Sequence, residues 1–444
     1  MKSIKKSFNF LILFVAAIVT LSLLGCEDSS PVEPGASNAT KIEGRVVGNG
    51  GFSKLAKTDF ENGLEGATVT VAKVEANGSL TVVSKGSVQT DAQGKFVIDV
   101  ESQSTNHLVV IAAKGTSQWK AVVTTTARSS STAYCAPVND ETTAEADIYA
   151  QVVSRSKADV VAYSDIQSCI NADVAARIKG NASLTSQVTT SVIAYAEAKA
   201  KAQAHSYFGL SAMQINAIKN AELKAQGELE SALYFANDNQ ANIDAAFGAY
   251  TEATVDAYVN NSSSAETCAK VIDIGIQTLV NVSANLSSEL KLALIKSISI
   301  KRAQTCSDAV GDEFESSGGS QSNMTVLVSA EINLLVSINA ASSYSQITDA
   351  FAQFNSVVVE QFKLILSAHA NAITTVNTSI NSSGGPKTIL SAAVSTTANA
   401  DVVLNAYVTF YNSVSTMVES SLSAASSAQI ESTSEVLILS NSTF

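Results

Sequence analysis

Histidine is nearly missing from this chain, with three residues in 444, at positions 107, 205 and 369. None opens a His-Glu-x-x-His or His-x-x-Glu motif, which removes the local signature of a helical metallopeptidase. Cysteine is scarce, at five residues with no Cys-x-x-Cys spacing, so paired-thiol redox or zinc chemistry has no local basis. There is one tryptophan, Trp119, and aromatics make up 6% of the chain. That shortage counts against a glycan cleft built on aromatic platforms. No Gly-x-Ser-x-Gly elbow and no Walker-type loop occur. Positive charge is in deficit, with 28 basic against 40 acidic residues and a net charge of −12. Such a balance repels nucleic acid, which is set aside as a partner, and repels anionic head groups. No metal, cofactor or catalytic residue is expected on these grounds. Paired carboxylates stay open, because acids are plentiful.

The first 25 residues carry a distinct pattern. Lys2, Lys5 and Lys6 precede an uncharged apolar run from Phe8 to Leu24, and Leu23-Leu24-Gly25-Cys26 follows. A basic start, an apolar middle and a small residue before a cut mark a secretory signal. The ending resembles the lipobox of bacterial lipoproteins. The resemblance implies cleavage before Cys26 and lipid on its thiol, so the membrane is a partner through the N-terminal lipid. Loss of the three lysines makes the mature chain more negative by three. Residues 26–39, with Glu27, Asp28, Pro31, Pro34 and Gly35, read as a flexible tether. Acids directly after the lipidated cysteine resemble a surface-export signal of some lipoproteins; elsewhere an acid there means inner-membrane retention. The expected location is the cell envelope, outer membrane over inner. The apolar stretch Val326–Ala341 is short and holds Glu331, so it is not read as a span.

From 40 to 134 the chain has a period of two. Runs such as Lys41–Val47, Ala67–Val74, Lys95–Val100 and His107–Ala113 are separated by Gly, Asn and Asp turns. Asn77-Gly78 is a hairpin signal, since both positions tolerate positive φ. Short strands at this spacing argue for an antiparallel β-sandwich. The pieces Gly66-Ala67-Thr68-Val69-Thr70-Val71 and Thr90-Asp91-Ala92-Gln93-Gly94-Lys95-Phe96, followed by His107–Gly115, resemble the carboxypeptidase-regulatory-like domain, a prealbumin-like sandwich. That family implies a spacer or interaction module without catalytic residues. An insertion at Phe52–Asn62 departs from its pattern.

From 135 to 444 the period is helical, with a subdivision near 311–323. Thr142 and Glu145 form a candidate capping box, and one stripe runs from Tyr149 to Val174. Further helices are expected over 184–208, 211–235 and about 243–257. The Asn237–Asn242 stretch lacks the glycine and terminal Glu of a calcium loop and reads as helix punctuation. Cys268, Ile272, Gly275, Leu279, Val282 and Leu286 share a face. Residues 311–323 read as a loop. A single helix of about 35 residues spans Ile347–Ile380 and carries His369 on its stripe, and another carries Leu404–Val418. His107, His205 and His369 are expected to be structural, and Asp401 solvated or capping. The fold class is therefore a small antiparallel β-sandwich followed by an antiparallel bundle of long helices.

With Cys26 lipidated, four cysteines remain outside the cytoplasm, and four allow three pairings. Residue 287 lies 19 residues after Cys268 and 19 before Cys306. In a helical hairpin turning there, these two cysteines sit at one level. The expected disulfides are Cys268–Cys306 and, for the remainder, Cys135–Cys169. The functional expectation is a non-enzymatic envelope lipoprotein, the sandwich spacing a helical interaction module toward an envelope protein or polymer. The rivals are a substrate-binding lipoprotein serving a transporter and a carboxylate-dependent hydrolase.

Overall fold

The computed structural model describes residues 39–48, 63–101, 107–125, 132–236, 239–261 and 263–442. Cys26, the leader, nearly all of the tether and the Phe52–Asn62 insertion lie outside the described residues. An N-terminal β region is followed by helices, as the change of period predicts.

The β region has two sheets. In one, β1 (Ala39–Gly48) pairs antiparallel with β5 (Lys95–Glu101) and parallel with the short β8 (Thr132–Tyr134) and β9 (Val138–Asn139). In the other, the order is β3 (Leu80–Val82), β2 (Thr68–Val74), β6 (His107–Lys114), β7 (Ser117–Thr124), with β4 (Val88–Gln89) beside β2. The β2–β3 connection is the one Asn77-Gly78 predicts: Gly78 has φ +82°, and Asn77 Oδ1 accepts from Ser79 N at 2.9 Å. The Thr-Asp-x-x-Gly segment stitches three loops. Thr90 Oγ1 accepts from Ala67 N and donates to Leu64 O, while Asp91 Oδ1 accepts from Gln93 N and Lys95 N.

Both faces of β6 and β7 are apolar for a reason. Leu108, Val110, Ala112, Ala121 and Val123 face the first sheet in one core, whereas Val109 and Val122 belong to the helical core. Period two alternates these neighbours rather than core and solvent. Residues Ala39–Phe444 form one compact unit, and β9, beyond residue 134, still pairs with β1.

The helices are α1 (Asp140–Ser154), α2 (Tyr163–Cys169), α3 (Ala172–Ile178), α4 (Ala182–Ala204), α5 (Ala212–Phe235), α6 (Gln240–Asn260), α7 (Ala265–Val282), α8 (Ser288–Ser316), α9 (Gln321–Ala340), α10 (Tyr344–Ile365), α11 (Ala370–Ile380), α12 (Pro386–Val394), α13 (Ala400–Ser421) and α14 (Ser427–Asn441). Several sequence expectations change. The capping box is Asn139 with Thr142, one turn earlier than Thr142 with Glu145. The stripe from 149 to 174 is broken after Ser154, where Ser156 takes φ +56°, and resumes in two short helices. Region 311–323 is mostly helical: α8 continues to Ser316 and Ser320 caps α9. The helix expected over 347–380 breaks at Leu366, and a 3-10 turn holds His369. A four-three repeat survives such a break, because a tight turn can keep the stripe on one side.

One close approach carries a prediction. Gly275 on α7 meets Tyr195 on α4, and an added Cβ would lie 2.7 Å from the ring. Both residues are enclosed, and Tyr195 is 1% exposed. Gly275→Ala should therefore lower stability by about 1–3 kcal/mol through overpacking, despite alanine's higher helix propensity. An unchanged or raised denaturation midpoint would contradict this helix spacing.

Candidate functional site

A cleft of about 510 Å³, lined by charged, amide and apolar side chains, opens between β7, α1 and the α3–α4 junction. Asn139 starts α1 so that Asp140, Asp147 and Gln151 line one wall. Thr143 fastens this wall to the strand, since Lys120 N donates to its Oγ1 at 2.9 Å. Two ion pairs stand in the cleft. Lys120 Nζ lies 2.7 Å from Asp147, and Lys179 Nζ lies 2.9 Å from Asp140. Trp119 Nε1 also donates to Asp140, at 3.2 Å. These charges are partly solvated and hold no histidine, thiol or unpaired acid between them. The chemistry such a lining offers is hydrogen bonding and charge recognition.

Beside this cleft, but not lining it, buried carboxyls gather where the β region meets the helices. Because α1 starts early, Glu145 turns inward and accepts from Tyr163 Oη at 2.6 Å. Glu230 on α5 accepts from Thr124 N at 3.3 Å and Gln226 Nε2 at 3.0 Å. Burial pushes the Glu145 carboxyl up to about 8, and the charges of Glu141 and Glu230 add to it. Burial likewise pushes Glu230 up to about 8, against the hydrogen bonds from Gln226 and Thr124. His107 stacks edge-on to Tyr149 at 5.4 Å, and burial depresses it to about 4. Glu145 is 5% exposed and Glu230 is 1% exposed. These acids converge in a sealed interface, where no substrate can reach them.

Two further ion networks are structural in position. Lys199 reaches Asp165 at 2.8 Å and Glu222 at 3.3 Å, all buried. Burial opposes its charge, but the two carboxylates more than offset that and hold the ammonium well above the usual lysine range. Arg302 on α8 binds Asp273 on α7 through Nε at 2.8 Å and Nη2 at 3.0 Å.

The four cysteines correct the disulfide expectation. Cys135, Cys169, Cys268 and Cys306 are free and buried, and neither Cys135–Cys169 nor Cys268–Cys306 forms. Cys135 packs in the β core with Phe96 and Val138, while Cys169 lies in the helical core. Equidistance from a turn sets the level of two residues along a hairpin but not the rotation of each helix. Cys268 faces Lys301, Lys199 and Glu222, and burial pushes its thiol up to about 12; Cys306 lies instead among Arg302, Asp273 and Glu331. Raised thiol pKa values keep such cysteines protonated and inert.

The remaining singled-out residues are placed simply. His205 ends α4, and its Nδ1 accepts from Tyr207 N at 3.2 Å. Asp401 sits exposed in the first turn of α13 and pairs with Lys201 at 3.2 Å. In the Asn237–Asn242 stretch, Asn239 caps α6. The cleft and the sealed acids were missed by sequence reasoning. Asp140 and Asp147, seven apart on one helix face, were the available signal, but nothing local brings Lys120 and Lys179 to them.

The rear helices present an unusual exterior. On α9, Val328, Ile332 and Val336 are 51%, 55% and 63% exposed at four-residue steps. Hydroxyls on the exposed faces of α9, α11 and α13 donate to the carbonyl four residues earlier, as Thr325, Ser329, Thr374, Thr378, Thr409 and Ser413 do. α9 is long and apolar enough to cross a membrane by length and composition, with 22% of its most apolar window buried. Comparison with protein-family models, curated proteins and solved structures finds no match to this chain.

Proposed function

We propose that this chain is a lipid-anchored protein of the cell envelope without enzymatic chemistry, in which a carboxypeptidase-regulatory-like sandwich near the tether presents an antiparallel helical bundle as an interaction module. The observation that carries this reading is the charge-poor exterior of the rear helices, centred on Val328, Ile332 and Val336. Hydroxyls that already donate to their own helix keep that bond when covered, so only acceptor lone pairs are desolvated and such a face costs less to bury than one of free hydroxyls. Exposed apolar stripes of this kind mark interaction surfaces more often than chance. The partner is an envelope protein or polymer with a comparably uncharged face. Wild-type protein should incorporate labelled palmitate and stay with membranes, and Cys26→Ala should lose both. Replacing Val328, Ile332 and Val336 together by Ser should abolish crosslinks to envelope neighbours while leaving the thermal transition in place. A wild-type chain that stays unlabelled beside a labelled lipoprotein in the same cells would sink the anchoring.

The second reading is a substrate-binding lipoprotein that passes a ligand to a transporter. The cleft favours it, since about 510 Å³ lies within the ~300–1,000 Å³ of small-molecule sites. Its lining mixes charged and amide groups with Ala144, Ala175 and Ile178, so the ligand would carry charged or hydrogen-bonding groups. The hydrolase reading draws no support from Glu145 and Glu230, which lie sealed away from the cleft.

A further inference from the structure

The cleft between β7 and α1 holds charges of both signs in a fixed order. Asp140 and Asp147 are seven residues apart on α1, which sets them two turns and about 10 Å apart along its axis. Each has its own lysine, Lys179 and Lys120 respectively. The cleft is therefore an anion and a cation at one end and the same pair at the other. A ligand of single charge can draw a partner from one end only and leaves the other pair unused. A ligand with opposite charges about 10 Å apart would find a partner at each end.

The pairs can exchange partners at low cost. Lys120 and Asp147 are 22% and 43% exposed in their side chains, and Lys179 is 57% exposed. Ion pairs so solvated contribute only ~0–1 kcal/mol, unlike the fully enclosed Arg302–Asp273 pair. Asp140 stays in place when Lys179 swings away, because Trp119 Nε1 also holds it. Thr143 lies between the two ends on α1, and Gln118 and Gln151, the latter one turn beyond Asp147, also line the opening with amide groups. An extended chain spans ~3.3–3.6 Å per residue, so charged ends about 10 Å apart correspond to two or three residues. Polarity follows from α4, whose positive N-terminal end begins at Ala182 beside Lys179.

We propose that this cleft binds a short zwitterionic peptide of two or three residues, its carboxylate at Lys179 and its ammonium at Asp147. The inference rests on the substrate-binding reading and is independent of the helical face. The test is calorimetric titration of the full-length, detergent-solubilised protein with trialanine, N-acetyl-trialanine, trialanine amide, the doubly blocked peptide and hexaalanine. Trialanine should bind, and each single block should weaken it by at least about tenfold. Hexaalanine should bind more weakly, since its ends overshoot the two sites. Asp147→Asn should erase the difference between trialanine and its N-acetyl form while keeping the penalty for the amide, a pattern that mere loosening of the fold does not produce. Lys179→Met should do the converse. No heat from trialanine at about 10 mM would overturn the proposal. Equal binding of the doubly blocked peptide would also overturn it, while leaving a ligand-binding cleft standing.

Discussion

Arg302→Met should destabilise the protein by about 3–5 kcal/mol, the usual consequence of leaving a buried charge without its partner. Arg302 and Asp273 are both fully enclosed, and the guanidinium meets the carboxylate along two edges, at 2.8 and 3.0 Å. The pair also holds the C-terminal helix. Arg302 Nη2 donates to Leu439 O at 3.1 Å, and Ser442 Oγ donates to Asp273 Oδ2 at 2.7 Å. Losing Arg302 strands an anion inside three packed helices, α7, α8 and α14. Asp273→Leu should cost a similar amount for the mirror reason. The double variant Arg302→Met with Asp273→Leu should recover a large part of either loss, because no unpaired charge remains. Denaturation midpoints of the four proteins form the cycle. Single variants within 1 kcal/mol of wild type would mean that water reaches this pair.

The second large effect is a loss of stability at alkaline pH. The Glu145 and Glu230 carboxyls stand near 8 in the fold, against 4.5 for an ordinary glutamate. Folded protein therefore keeps protons that the unfolded chain releases above pH 4.5. Stability from these groups is complete below that value, declines as pH rises, and is gone once pH passes about 8. Each carboxyl accounts for a loss on the order of 4–5 kcal/mol across that window. His107 acts at the other limb. Its imidazole is held down to about 4, so stability falls as pH drops from 6.5 through 4. Two carboxyls that lose stability above pH 4.5 outweigh one imidazole that gains it up to 6.5, so these groups together place the optimum near pH 4, below the usual neutral range. Glu145→Gln and Glu230→Gln should match wild type near pH 4 and exceed it at pH 9, since Gln resembles the protonated acid and cannot ionise. Urea midpoints that are flat from pH 5 to 9 would show that neither acid is held protonated.

These two predictions come from residues that sequence reading treated differently. Nothing in the sequence singles out Asp273 and Arg302, because their pairing crosses a helical hairpin and its meaning depends on total enclosure. As the fourth residue of Thr142-Thr143-Ala144-Glu145, Glu145 reads in the sequence as a capping partner, but Asn139 starts the helix one turn earlier. That shift rotates Glu145 from the helix end to its inner face, where Tyr163 meets it.

The chain's own order of residues determined the change from period two to helical period near residue 140, the β2–β3 turn at Asn77-Gly78, and the stripes of α7, α10 and α13. These features follow from steric and periodic rules acting over a few neighbouring residues, which the linear sequence contains whole. Only the tertiary structure decided how far each helix is turned about its axis. That rotation separates Cys268 from Cys306, encloses Arg302 with Asp273, and hides Glu145 from water. It also aligns Asp140 and Asp147 with lysines 20 to 40 residues away. Axial rotation is set by packing among elements distant in the chain, where a few contacts outweigh any local preference.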